Sequence, residues 1–130
     1  MIKKNQNKIL IVEDDAFLAD IYKTKLESEG FKVTVAGDGE KGLKMIQTKN
    51  PDLVLLDILL PKLDGFAILE IVKAPNSEVK NIPIILLTNL GQNDEVQKGI
   101  KSGAADYLIK AHFKPAEVVE KIRKILEIKN

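Results

Sequence analysis

Five short apolar blocks divide this chain: ILIV (9–12), VTVA (33–36), LVLL (53–56), IPIILL (82–87) and DYLI (106–109). They are short, rich in β-branched residues and bounded by polar residues, so they read as strands. The central ones, apolar on both faces, suit a parallel sheet covered on both sides. Pro83 is tolerated only near the start of its block, where a missing N–H does least harm. Between the blocks the apolar period becomes helical. Leu18, Ile21, Tyr22 and Leu26 share one helix face, and Gly30 follows as a stop signal. Leu43 and Ile46 mark a shorter helix that ends before Asn50-Pro51. Phe66, Leu69 and Val72 mark a third, and Val96 and Ile100 a fourth, ended by Gly103. Val118, Val119, Ile122, Ile125 and Leu126 mark a fifth, opened by Pro115 near its first turn. The fourth is the weakest, with two large apolar anchors and Gly99 inside it, and is expected to be the most mobile element. The order is β-α five times. Right-handed crossovers then give an α/β, doubly wound (βα)5 fold with helices on both faces of a five-stranded parallel sheet.

A chain of 130 residues is enough for one domain with one core. The 20 basic and 19 acidic residues leave a net charge of +1, which gives no electrostatic reason to expect nucleic-acid or membrane binding. The absence of cysteine excludes disulfides, thiolate catalysis and cysteine metal sites. The single histidine, His112, excludes a multi-histidine metal site within one chain. The polar start MIKKNQNK and the four-residue run after it do not make a signal peptide. No run approaches the roughly 20 apolar residues of a membrane span. A soluble, cytoplasmic protein is expected. The stretch APNSEVKN (74–81) reads as a loop inside one domain.

In an open parallel sheet, sites form outside the carboxyl ends of the strands. Glu13, Asp14 and Asp15 follow the first strand, Asp57 the third, Thr88 the fourth and Lys110 the fifth. The second ends in Gly37-Asp38, a turn into a helix. Glu13, Asp14 and Asp57 would place three carboxylates close together, and such a cluster needs counter-charge or raised pKa values. Lys110 supplies one positive charge and one divalent cation the remainder. All-oxygen ligation with few carboxylates suits Mg²⁺, which shares its sites with phosphate. A lone Asp after a strand is more often a turn residue or helix N-cap, and Asp15 is assigned to that role. The convergence of four strand ends on one chemistry argues against the same reading for Asp57.

The motifs IVEDD, LVLLDILLPKLDG, LLT and ADYLIK stand in the order and spacing of a known family. Over about residues 8–127 the chain resembles the receiver (CheY-like) domain of two-component response regulators, and 1–130 is read as one such domain. The resemblance implies the flavodoxin-like strand order 2-1-3-4-5. It makes Asp57 the phosphoacceptor, taking a phosphoryl group from a sensor histidine kinase or a histidine phosphotransfer protein. It makes Asp14 a direct ligand of Mg²⁺ (or Mn²⁺), together with Asp57 and the backbone carbonyl of Leu59, and Glu13 a ligand directly or through water. Lys110 and the cation would neutralise charge on the phosphoryl group, and Thr88 would donate a hydrogen bond to it. Movement of Thr88 would let Tyr107 turn inward, signalling to a downstream protein through the fourth helix, fifth strand and fifth helix. A phosphorylation-dependent dimer is compatible with this reading. Asp64-Gly65 would form the helix start after the phosphorylation loop. The domain would be a switch that catalyses its own Mg-dependent phosphorylation and slow dephosphorylation, and no conventional enzyme.

The chain departs from the family's pattern at a few positions. Ala111 follows Lys110 where many members have proline after a cis bond. Here a cis bond would cost about 3 kcal/mol, so the expectation is a trans bond with a rearranged loop or a cis bond held by its surroundings. Asn89 stands where a small residue is usual and would narrow access to Asp57. Leu59 and Leu90, both apolar, would flank the phosphate and exclude the attacking water, giving slow loss of phosphate. His112 is expected at the surface.

Two enzymatic readings compete. An aspartyl-phosphate phosphatase usually needs a second Asp two residues after the first, where Leu59 stands. A flavin-binding protein would want a hydroxyl- and glycine-rich loop after the first strand, where Glu13, Asp14 and Asp15 would repel phosphate. A degenerate receiver is disfavoured by intact Glu13, Asp14, Asp57, Thr88 and Lys110. The ending LEIKN, without a Pro/Gly-rich linker, favours a single-domain regulator over a fragment.

Overall fold

A computed structural model describes residues 7–89, 93–112 and 114–127. The strands are β1 (Lys8–Val12), β2 (Lys32–Ala36), β3 (Leu53–Asp57), β4 (Ile84–Thr88) and β5 (Asp106–Ile109). The helices are α1 (Ala16–Ser28), α2 (Gly39–Lys49), α3 (Gly65–Val72), α4 (Asn93–Lys101) and α5 (Pro115–Leu126). All strand pairs are parallel, in the order β2-β1-β3-β4-β5.

Side-chain alternation along each strand divides the core in two. Ile9, Ile11, Leu55, Ile85 and Leu87 pack against Tyr22 and Leu26 of α1 and Val118, Val119 and Ile122 of α5. Leu10, Val12, Val54, Leu56 and Leu86 face the other way, onto Ile46 of α2 and Ile68, Leu69 and Val72 of α3. β3 and β4 are buried along their whole length, whereas β5 is buried only at Leu108.

Short polar side chains set where the helices begin. Asp15 Oδ1 accepts the backbone N–H groups of Phe17 and Leu18, both at 3.1 Å, which makes Asp15 the α1 N-cap. Asp38 caps α2 through Lys41 N–H, and Asp64 caps α3 through Ala67 N–H, each at 2.9 Å. Gly65 then opens α3, and a Cβ there would collide with the backbone of Asp57 and Ile58. Gly39 meets the backbone of Leu63 in the same way. The loop after β3 is therefore clasped between two glycine backbones.

Two expectations need adjustment, and one alternative left open is decided. Pro83 lies just outside β4, where its carbonyl accepts Val54 N–H at 3.0 Å. Ile100 is 40% exposed and does not anchor α4. Among its residues with described burial, Val96 and Gly99 are the buried ones, and a Cβ on Gly99 would strike Leu86 of β4. Gly99 thus lets the α4 backbone lie directly on the sheet. No cis peptide occurs among the described residues, so Lys110–Ala111 is trans, and β5 runs into a single 3-10 turn over Lys110–His112. The loop before β4 is held by Lys73, whose Nζ donates to the carbonyls of Lys80 and Ile82, both at 2.7 Å.

Candidate functional site

The sheet register determines which side chains meet. Val12 pairs with Leu56, so Glu13 and Asp57 are the next residues on adjacent strands. Asp57 pairs with Leu87, which puts Thr88 one residue further along β4. Thr88 pairs with Ile109, and Lys110 follows. Four strand ends thus place their polar residues along one edge, as the sequence motifs imply.

Carboxylate oxygens of Glu13, Asp14 and Asp57 lie within 4.8 Å of one another. Glu13 and Asp57 are buried, at 1% and 3% exposure, while Asp14 faces solvent. Lys110 Nζ lies 2.8 Å from Asp57 Oδ2 and 3.1 Å from Glu13 Oε1, bridging the two buried acids. Asp57 Oδ1 accepts the Leu59 N–H at 3.2 Å, and Glu13 Oε2 accepts Asp15 N–H at 3.1 Å. Both Asp57 oxygens are therefore engaged, one by a backbone donor and one by an ammonium.

These charges shift one another's titration. Burial, reinforced by the Asp57 charge, pushes the Glu13 carboxyl up to about 7, although the Asp15 N–H and Lys110 oppose it. For Lys110, burial pulls the ammonium down, but Asp57 and Glu13 outweigh it and hold its pKa above the ordinary lysine value. Tyr22 was read from sequence only as part of the α1 core face. It is buried, and burial together with the charges of Glu13 and Asp57 raises its phenol to about 12. A hydroxyl-tipped residue in an otherwise apolar stripe was the available signal that this residue senses the acids.

The donor set fits a small divalent cation. The chemistry is all-oxygen, and Glu13 Oε1 is a buried acceptor with no hydrogen-bond partner, lying near Lys110 but outside hydrogen-bond geometry. A cation bridging Glu13, Asp14 and Asp57 would satisfy that oxygen.

The other predicted residues surround this cluster. Thr88 is buried and its Oγ1 donates to the Asn89 carbonyl at 3.3 Å. Asn89 is exposed, Leu59 is 54% exposed beside Asp57, and Tyr107 is 37% exposed. His112 is exposed, as expected. Leu90 lies outside the described residues.

Comparison with known proteins gives the same answer as the geometry. The family model for the response regulator receiver domain matches residues 9–123. The DNA-binding response regulator MtrA of Mycobacterium tuberculosis H37Rv is 39% identical over 118 residues, covering 91% of this chain and 50% of MtrA. The receiver domain of Francisella response regulator 1452 superposes with a TM-score of 0.85 at 35% identity, covering 94% of this chain and 98% of that one. The chemotaxis response regulator CheY4 of Vibrio cholerae gives a TM-score of 0.84 at 26% identity, covering 93% and 99%. The chain belongs to the response regulator receiver domain family of two-component signal transduction. It spans about half the length of the curated relatives it matches. Among the described residues, no helix is long and apolar enough to cross a membrane.

Proposed function

We propose that Asp57 is the phosphoacceptor of this domain and that Glu13, Asp14, Asp57 and the Leu59 carbonyl hold Mg²⁺ (or Mn²⁺) beside it. The observation that carries the reading is the three carboxylates within 4.8 Å of one another, bridged by an ammonium 2.8 Å from Asp57. An Asp57 oxygen attacks the phosphorus of a phosphohistidine on a sensor kinase or phosphotransfer protein. The P–N bond breaks, a P–O bond forms, and the imidazole leaves with its electron pair. The cation, when bound, supplies positive charge to the transferring oxygens. Lys110 leaves Asp57 Oδ2 for a phosphoryl oxygen, and the Thr88 hydroxyl donates to another. The Leu59 N–H holds the second Asp57 oxygen in place.

Leu59, Asn89 and Leu90 set the lifetime of the acyl phosphate by restricting water. Signalling runs through Thr88 and Tyr107 to the face formed by α4, β5 and α5, which meets a downstream protein or a second phosphorylated copy. The domain, read as one receiver over 1–130, acts in the cytoplasm and does not itself bind nucleic acid or membrane. The phosphate adds about −1.5 to −2 charge and three acceptor oxygens, enough to bias an existing equilibrium.

Incubation with acetyl phosphate and Mg²⁺, followed by intact mass, tests the assignment. A phosphate-sized gain that needs Mg²⁺ and vanishes in Asp57→Asn is expected. A gain that persists in that variant would refute it.

A further inference from the structure

A cavity lies at the opposite, amino-terminal edge of the sheet, beneath α2. Its volume is about 230 Å³, and its lining includes Lys8, Lys32, Lys49, Leu10, Met45 and Thr34. The three lysines begin β1, begin β2 and end α2. All three are exposed, while Leu10 is 1% exposed and Met45 is half-buried. The cavity therefore combines an apolar floor, one hydroxyl and a cationic rim.

The charge balance at this edge is positive. Among the described residues no acidic side chain lines the cavity, and none of the three lysines makes an ion pair. The nearby carboxylate of Asp52 accepts the backbone N–H of Lys8 at 2.7 Å, so it offsets only one of the three charges. The carboxyl end of α2 adds a further partial negative charge of about one half, still short of balance.

We propose that this cavity binds a small amphipathic anion, an aromatic or branched carboxylate or phosphate ester. The volume is below the roughly 300 Å³ at which drug-sized ligands begin to fit, so the occupant is a compact group and not a nucleotide. The apolar part meets Leu10 and Met45. The anionic head meets the lysines, with Thr34 as a neutral hydrogen-bond partner. Neither an inorganic anion nor a neutral aromatic satisfies both halves of the site.

Amide chemical-shift titration of the intact chain tests this, in low salt and without divalent cation so that the Asp57 site does not compete. The probes are phenyl phosphate, inorganic phosphate and benzyl alcohol. Phenyl phosphate is expected to shift the amides of residues 8–10, 32–34 and 45–49 together. Each control should bind at least tenfold more weakly, and Lys32→Ala/Lys49→Ala should weaken phenyl phosphate at least tenfold. Equal response to inorganic phosphate, shifts scattered over the surface lysines, or unchanged binding in the double variant would overturn the assignment.

Discussion

The acidic centre is shared between two unlike halves of the sheet. On the β1–β3 side, Glu13 and Asp57 are buried, the loops after them run into N-capped helices, and Gly39 and Gly65 press backbone against backbone. On the β4–β5 side, β5 is only partly buried, Tyr107 is half-exposed, and α4 rests on Val96 and a glycine. The first half holds charge at fixed positions. Apart from the fully buried β4, the second half has few apolar anchors in α4 and β5, which suits elements that change position at small cost. Lys110 joins them, since it leaves β5 and reaches across to Asp57 and Glu13.

The glycines separate the halves most sharply. Gly65→Ala and Gly39→Ala put a methyl group into backbone, which cannot rotate away, and should each cost about 3 kcal/mol in urea unfolding. Gly99→Ala meets only the end of the Leu86 side chain. Rotation of Leu86 and a helix-propensity gain of about 1 kcal/mol should hold its cost below about 1 kcal/mol. Equal losses in all three would erase the distinction.

Next in size is Glu13. Its carboxyl is raised from 4.5 to about 7 in the folded, metal-free protein. A raised folded pKa gives stability that is complete below pH 4.5 and lost as pH rises through 7. The loss is on the order of 2 to 3 kcal/mol. Lys110 titrates above this window and does not add to it. Metal-free Glu13→Gln should therefore be more stable than the parent at pH 8, with the gap closing toward pH 5, as read by thermal unfolding in chelator. At the proposed metal site the same proton would compete with the cation. Mg²⁺ affinity, followed by calorimetry, should rise with pH up to about 7, changing about tenfold per unit below it. A flat profile would place Glu13 outside the metal site.

The smallest effect belongs to the apolar residues proposed to flank the phosphate. Leu59→Asn combined with Leu90→Glu should shorten the phosphorylated lifetime severalfold, followed by intact mass after removal of the phosphodonor. An unchanged lifetime would refute the proposal that Leu59 and Leu90 slow hydrolysis by excluding water.

Much of this was legible because the physical signals are local. Short β-branched blocks, capping aspartates and stop glycines each act within a few residues, and they mark the five strands, the five α-helices and the N-cap role of Asp15. The convergence of Glu13, Asp57, Thr88 and Lys110 was legible because a parallel sheet aligns strand ends. Other features depend on packing that sequence does not encode locally. Ile100 fits a helical period but faces outward, because Gly99 occupies the contact with Leu86. The Lys110 bridge to Glu13 joins residues 97 apart in the chain and depends on how β5 docks on the sheet. The Leu59 N–H on Asp57 is a backbone donor, invisible to a reading of side chains. Tyr22 hid its link to the acids inside an apolar stripe.

On the proposed function, charge arrives beside β1 and β3 and is expressed through α4 and β5. Amide hydrogen exchange, compared between the Mg²⁺-loaded domain before and after phosphorylation by acetyl phosphate, tests it most directly. The account predicts altered exchange in α4 and β5, with β1 and the buried part of β3 unchanged. Unchanged exchange in α4 and β5 on a fully phosphorylated protein would contradict it.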